Sequence, residues 1–237
     1  MLNAGKIAQL LTQAHVKPAP VLPFDLNNEP VAVLDFSVNN PALAAVDLTD
    51  TAAFTAFVAQ ELARAGARAG VGGYNENRII YRSPVFTQAQ EPRTLHLGID
   101  LWTEAGTAVH APLAGHVHSF ADNNNYRDYG PTLILEHNLS GHIFYTLYGH
   151  LSRSSLQGLR KGLPVQTGQK IGMLGAPHEN VQWPPHLHFQ LITDLLGREG
   201  DFFGVAPLSE SAFFLSICPN PNVLLQLHVL GHEPALP

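Results

Sequence analysis

From residue 75 to residue 205 the chain never runs far without a turn former, and that punctuation excludes a long helix across more than half of its length. Short apolar segments lie between the breaks, at 78–82, 95–101, 108–111, 115–120, 132–136, 143–148, 170–174 and 187–192. Each has the length and residue types of a strand. Without crossover helices the sheets should be mostly antiparallel. The expected fold class is therefore mainly β.

The first seventy residues read differently. Ile7, Leu10 and Leu11 fall on one face of a short amphipathic helix, and residues 17–30 form a Pro-rich connector. A strand is expected over 31–37. Asp50 can cap a helix from Thr51 to about Ala65, with Phe54, Phe57, Val58 and Leu62 at helical spacing and Gly66 placed to end it. Gly-rich residues 70–73 mark a boundary, giving a small α/β appendage at 1–70 and a main domain at 71–237. Near the C-terminus, Asn220 and Pro221 can start a short helix through Leu227.

Composition removes several function classes. A formal charge of −6 without a basic run argues against nucleic acid or an anionic membrane as partner. No apolar run approaches the ~18 residues of a membrane span, and the N-terminus lacks the apolar stretch of an export signal, so a cytoplasmic protein is expected. Cys218 is the only cysteine, which excludes an intrachain disulfide and a thiolate-rich zinc site. Thirteen histidines leave nitrogen and oxygen as the available ligands.

Three stretches carry candidate chemistry. His186 and His188 sit two apart in an apolar strand pattern, so both rings leave one face of a sheet. His96 and Asp100, read within one strand, share a face with Gly98 between them. His150 stands at the end of the 143–148 strand, where an imidazole can reach a substrate. Taken together they offer three ligands with an open position, as a catalytic zinc requires, plus spare histidines. His116 and His118 form a competing His-x-His pair.

His96-x-Gly-x-Asp100, Tyr148-Gly-His150-Leu-Ser and Pro185-His-Leu-His188-Phe stand in the order found in lysostaphin-type (LytM-like) zinc metallopeptidases, and residues 74–225 resemble that family. The resemblance implies antiparallel sheets of the duplicated hybrid motif and one zinc per chain. It implies His96, Asp100 and His188 as metal ligands, His150 and His186 as catalytic histidines, and structural roles for His116, His118 and His137. The chain departs from the family in Gln190, where an acid is usual, and in the approach Gln-Trp-Pro-Pro before the last motif. The function expected is hydrolysis of a peptide or small amide by a zinc-held water, its pKa lowered to roughly 7, with two histidines moving the proton. Tyr126, Tyr129 and Tyr148 are candidates for a further donor. The alternative is a cytosolic, non-peptidase zinc module that binds an amine or amino-acid-like ligand for a partner enzyme of amine metabolism.

Overall fold

The apolar stripe of the first helix docks the N-terminus onto the main core. In the computed structural model, which describes residues 2–231, α1 (Ala4–Gln13) buries Ile7, Leu10 and Leu11, and the Asn3 side chain caps it by accepting from the Lys6 N–H. Met1 and the last positions of the 71–237 unit, residues 232–237, lie outside the described residues. There follow β1 (Val31–Leu34), α2 (Thr51–Arg64), β2 (Ala69–Gly72), β3 (Glu76–Asn77), α3 (Pro84–Thr87), β4 (Arg93–His96) and β5 (Ile99–Trp102). Then come β6 (Ala108–His110), β7 (Gly115–Asn123), β8 (Gly130–Leu139), β9 (His142–Gly149), β10 (Pro164–Val165), β11 (Lys170–Met173) and β12 (His186–Ile192). The chain closes with β13 (Val205–Pro207), α4 (Ser211–Ile217) and α5 (Asn222–Leu225).

The architecture is mainly β and mostly antiparallel. One sheet holds eight strands in the order β1-β2-β5-β12-β9-β8-β7-β10, beside a two-stranded sheet β11-β6 and a three-stranded sheet β13-β4-β3. The parallel exception is β1 with β2, which α2 joins as the crossover that parallel neighbours need. Asp50 caps α2 as expected, its carboxylate accepting from the Ala53 N–H at 2.7 Å.

Three expectations need correction. Gly70 and Gly72 lie inside strand β2, where the missing Cβ permits close approach: a Cβ at Gly70 would stand 2.7 Å from Leu34, and one at Gly72 would stand 2.8 Å from Arg78. Residues 78–82 are not a strand. Arg78 makes only an isolated bridge to Ser37, and its side chain turns inward, 1% exposed. Residues 95–101 are two strands, because the chain leaves one sheet at Leu97–Gly98 and enters another. The helices α3 and α4 carry no clear periodic signal in so few residues.

The core has three connected parts. Ile7 and Leu11 of α1 join Val71, Ile99, Leu101, Leu133, Phe144 and Leu187 beneath the large sheet. Phe36, Phe54, Trp102 and Trp183 form a second part between the N-terminal unit and the loop before β12. Phe54 lies 5.8 Å from Trp102 and 6.2 Å from Trp183, ring centre to ring centre. Leu97, Leu147, Phe202 and Phe214 make the third. Residues 1–70 thus share both the large sheet and its core with the rest of the chain.

His137 is buried in β8 and bonded on both nitrogens, Nδ1 2.9 Å from the Ala114 carbonyl and Nε2 2.7 Å from the Thr146 hydroxyl. Burial pushes its pKa from 6.5 down to about 4. A histidine lowered in this way stabilises the fold above pH 6.5, and that contribution is lost as pH falls towards 4, because the unfolded chain takes up the proton first. His137→Gln should therefore lose about 2 kcal/mol less than the parent protein when urea unfolding is compared at about pH 7.5 and about pH 5. Equal losses in the two proteins would show that His137 is not held neutral.

Candidate metal centre and cleft

β12 runs between β5 and β9, and its register sets the site. His188 stands opposite Asp100 on one side and opposite Gly149 on the other. His96 reaches the same point from β4 of the three-stranded sheet. The three donors thus come from two sheets, not from one strand face and its neighbour. Gly98 leaves the room, since a Cβ there would lie 2.7 Å from the His188 ring and 2.8 Å from the Phe189 carbonyl.

Hydrogen bonds on the far ring edges select the tautomers. His96 Nδ1 lies 2.8 Å from the Gly73 carbonyl, which can only accept, so Nδ1 carries the proton and Nε2 the lone pair. Gln190 donates its amide N–H to the Phe203 carbonyl at 3.0 Å. That turns its Oε1 to His188 Nε2 at 2.9 Å and leaves the lone pair of His188 on Nδ1. His96 Nε2 and His188 Nδ1 are 3.0 Å apart, and each is 3.2 Å from Asp100 Oδ1. Three lone pairs converge with no proton between them. Asp100 Oδ1 accordingly has no hydrogen-bond partner although it is buried.

This fits a metal. Donors at zinc–ligand distances of ~2.0–2.1 Å in tetrahedral array are separated by about 3.3 Å, close to the spacings observed. Among the described residues it is the one convergent group of metal-ligating side chains. Charge agrees as well: Arg78 bonds Asp100 Oδ2 at 2.5 Å and Glu76 at 2.5 Å. One guanidinium between two carboxylates leaves the pocket suited to a cation. Burial opposes ionisation of Asp100, but the Arg78 guanidinium bonded to it outweighs that and holds its carboxyl well below the ordinary range. Burial and the Arg78 charge push His96 down to about 4, so its ring is neutral and able to ligate.

His150 and His186 stand beside this group without belonging to it. Their ring centres are 4.2 Å apart. His186 Nδ1 donates to the Pro184 carbonyl at 2.7 Å, and its ring stacks on Trp102 at 3.9 Å, which leaves Nε2 as the acceptor. His150 is buried with Nδ1 unpartnered. Burial, then the neighbouring rings, lower its pKa well below the usual value, and burial lowers that of His186 to about 4. Both rings are neutral at pH 7 and can accept a proton.

A cleft of about 580 Å³ opens on Asp100, Tyr129, His150, Trp183, His186 and His188. Of the three candidate tyrosines, Tyr129 alone lines it. Tyr126 donates to the Thr49 carbonyl, and Tyr148 is packed in the core with its hydroxyl on Thr146. The Tyr129 hydroxyl lies 3.3 Å from His188 Nε2. The loops at 124–129 and 176–185 wall the cleft through Arg127, Asp128, Tyr129 and Trp183. They contain non-glycine residues in the left-handed region, Arg127 (φ 63°), Val181 (φ 59°) and Gln182 (φ 73°), as does His150 (φ 62°). The N-terminal unit braces both loops: Thr51 donates to the Gln182 carbonyl, and Arg127 to that of Thr49.

The three histidines read as structural lie elsewhere. His116 is on β7 beside Glu136, His118 bonds Ser119, and His137 is internal. Sequence reasoning missed Arg78, which appeared as one cation in an apolar run, and Trp102, whose stacking on His186 depends on β-register. Gln190 drew notice only as a departure, yet its amide orients His188.

Residues 94–198 match peptidase family M23. A zinc-containing peptidase from Vibrio cholerae is 33% identical over 41% of this chain and 27% of its own, with a TM-score of 0.35. The catalytic domain of lysostaphin from Staphylococcus simulans is 26% identical over 51% of this chain and 80% of its own, with a TM-score of 0.37. Csd3 from Helicobacter pylori is 26% identical over 53% of this chain and 32% of its own, with a TM-score of 0.34. The chain therefore spans only about a quarter to a third of the first and last of these. No curated protein matches it.

Gly98→Ala would press on both the His188 ring and the Phe189 carbonyl of β12, moving that ring from the other donors without replacing a ligand. Zinc affinity, measured by competition with a chromophoric chelator, should fall by roughly 10- to 100-fold, as when a ligand loses its orienting partner. The circular dichroism spectrum should be unchanged. Parental affinity would show that this ring position does not matter for metal.

Proposed function

From a lysostaphin-type segment of peptidase family M23 at residues 94–198, joined to the donor set described above, we propose that the protein is a zinc-dependent amide hydrolase acting on peptides. The observation that carries this reading is the convergence of three buried lone pairs on one point, with Asp100 Oδ1 left unpartnered. His96, Asp100 and His188 would hold the ion. Zinc bound there supplies Lewis-acid activation of water and of the scissile carbonyl.

The chain's own groups do the rest. Gly73 and Gln190 hold the two ligand rings in the tautomers that present their lone pairs, and Arg78 fixes the Asp100 carboxylate. One of His150 and His186, both neutral, takes the proton of the attacking water and returns it to the leaving amine, so that the ring ends as it began. Where His186, with Nε2 as its acceptor, takes that proton, His150 and the Tyr129 hydroxyl would donate to the oxyanion. Trp102 and Trp183 pack around the two rings and limit water. Two spare histidines beside the donors favour hydrolysis over a non-catalytic zinc module. No helix among the described residues is long and apolar enough to cross a membrane.

The test is cleavage of glycine-rich peptides, peptidoglycan and a mixed peptide pool, with and without chelator. Metal-dependent cleavage is expected, and its absence from every substrate would refute the reading. His150→Ala should keep one zinc per chain while cleavage falls by roughly 10²–10⁴-fold. His188→Ala should lose the metal itself. If His186→Ala loses the metal and His188→Ala retains it, the two roles are reversed.

A further inference from the structure

Part of the cleft's apolar lining comes from outside the family segment. On one side stand Tyr81, Val85 and Phe86, and on the other Phe203 and Phe214, all beyond residues 94–198. Tyr81 and Phe86 pack at 4.7 Å, and Phe203 and Phe214 at 5.2 Å. Arg93, which also precedes the segment, ties the walls together. Its guanidinium lies 5.6 Å from the Phe86 ring and 6.0 Å from that of Phe203, and it donates to the Val85 carbonyl.

This apolar surface is continuous with the donor set. The Tyr81 ring is 6.4 Å from His96 and 6.2 Å from Trp183, so a group held between the walls lies next to the reacting centre. The volume of about 580 Å³ falls among clefts that enclose a ligand rather than graze it. Charge does not choose the occupant, since Arg93 and Arg198 are balanced by Asp201 and Glu210 on the same lining. Apolar contact must choose it.

We infer that this part of the cleft is a subsite for a large apolar side chain, aromatic or leucine-sized, on the substrate residue beside the scissile amide. Glycine at that position would leave the walls facing water. The inference rests on the hydrolase reading for the bond that is cut, but not for the binding.

The test is calorimetric binding of two capped pentapeptides that differ only at the centre, Ala-Ala-Phe-Ala-Ala and Ala-Ala-Gly-Ala-Ala, to the purified protein. The phenylalanine peptide should bind roughly 10- to 100-fold more tightly, the worth of burying one such side chain. Phe86→Ala should reduce that ratio to about threefold or less. Val85→Gln, at a partly exposed wall position that spares the core, should reduce it as well. Equal binding, preference for glycine, no binding of either peptide, or a parental ratio in a folded Val85→Gln protein would each overturn the subsite. A clear preference, with no metal-dependent cleavage of these peptides or of any substrate named above, would uphold the subsite and refute the hydrolase.

Discussion

The register of β12 is the constraint on which the site depends. Because His188 faces Asp100 across one strand and Gly149 across the other, a slip by one residue would turn His186 and His188 to the opposite face together. Small residues guard that register on both sides. A Cβ at Gly98 would meet the His188 ring, and a Cβ at Gly149 would meet Tyr129 at 2.6 Å. The donor spacing is thus a property of strand pairing and not of flexible side chains.

The buried Arg78 is the second requirement. A guanidinium out of water needs full pairing, and removing either partner would leave an uncompensated charge. Glu76 and Asp100 provide the pairing, and the Gly73 carbonyl and Tyr81 hydroxyl accept two more of its N–H groups. Glu76 in turn accepts the Phe36 N–H. The convergent donor set is thereby wired through one cation to residues 36–81, ahead of the matched segment. The N-terminal unit reaches this network through the Phe36 N–H as well as bracing the loops of the cleft.

How much of this was legible follows from how local each signal is. The helix over 51–64, its Asp50 cap and the stripe of Ile7, Leu10 and Leu11 depend on neighbours in sequence, and they were readable. So was the pairing of His186 with His188 on one face, since strand periodicity fixes it. The break at Leu97–Gly98 was not, because an alternating run looks the same whether or not the chain changes sheets midway. Gly70 and Gly72 misled for a related reason: composition cannot distinguish a glycine that turns the chain from one that lets Leu34 or Arg78 come close. Arg78 and Trp102 acquire meaning only through contacts 22 residues or more away in sequence.

The left-handed backbone of Arg127, Val181 and Gln182 bears on what holds the cleft entrance in shape. Each costs about 1–2 kcal/mol relative to an ordinary conformation, and a β-branched residue such as Val181 is among the least suited to it. Bonds within and between the loops offset that strain, among them Arg127 N–H to the Val181 carbonyl at 3.0 Å, Gln182 N–H to that of Pro177 at 2.8 Å and Trp183 Nε1–H to that of Asp128 at 3.1 Å, together with the braces from Thr49 and Thr51. The entrance of the cleft is therefore held open in a strained shape by a few residues of the N-terminal unit, so a change at Thr49 or Thr51 would be felt at the entrance before it was felt in the paired strands.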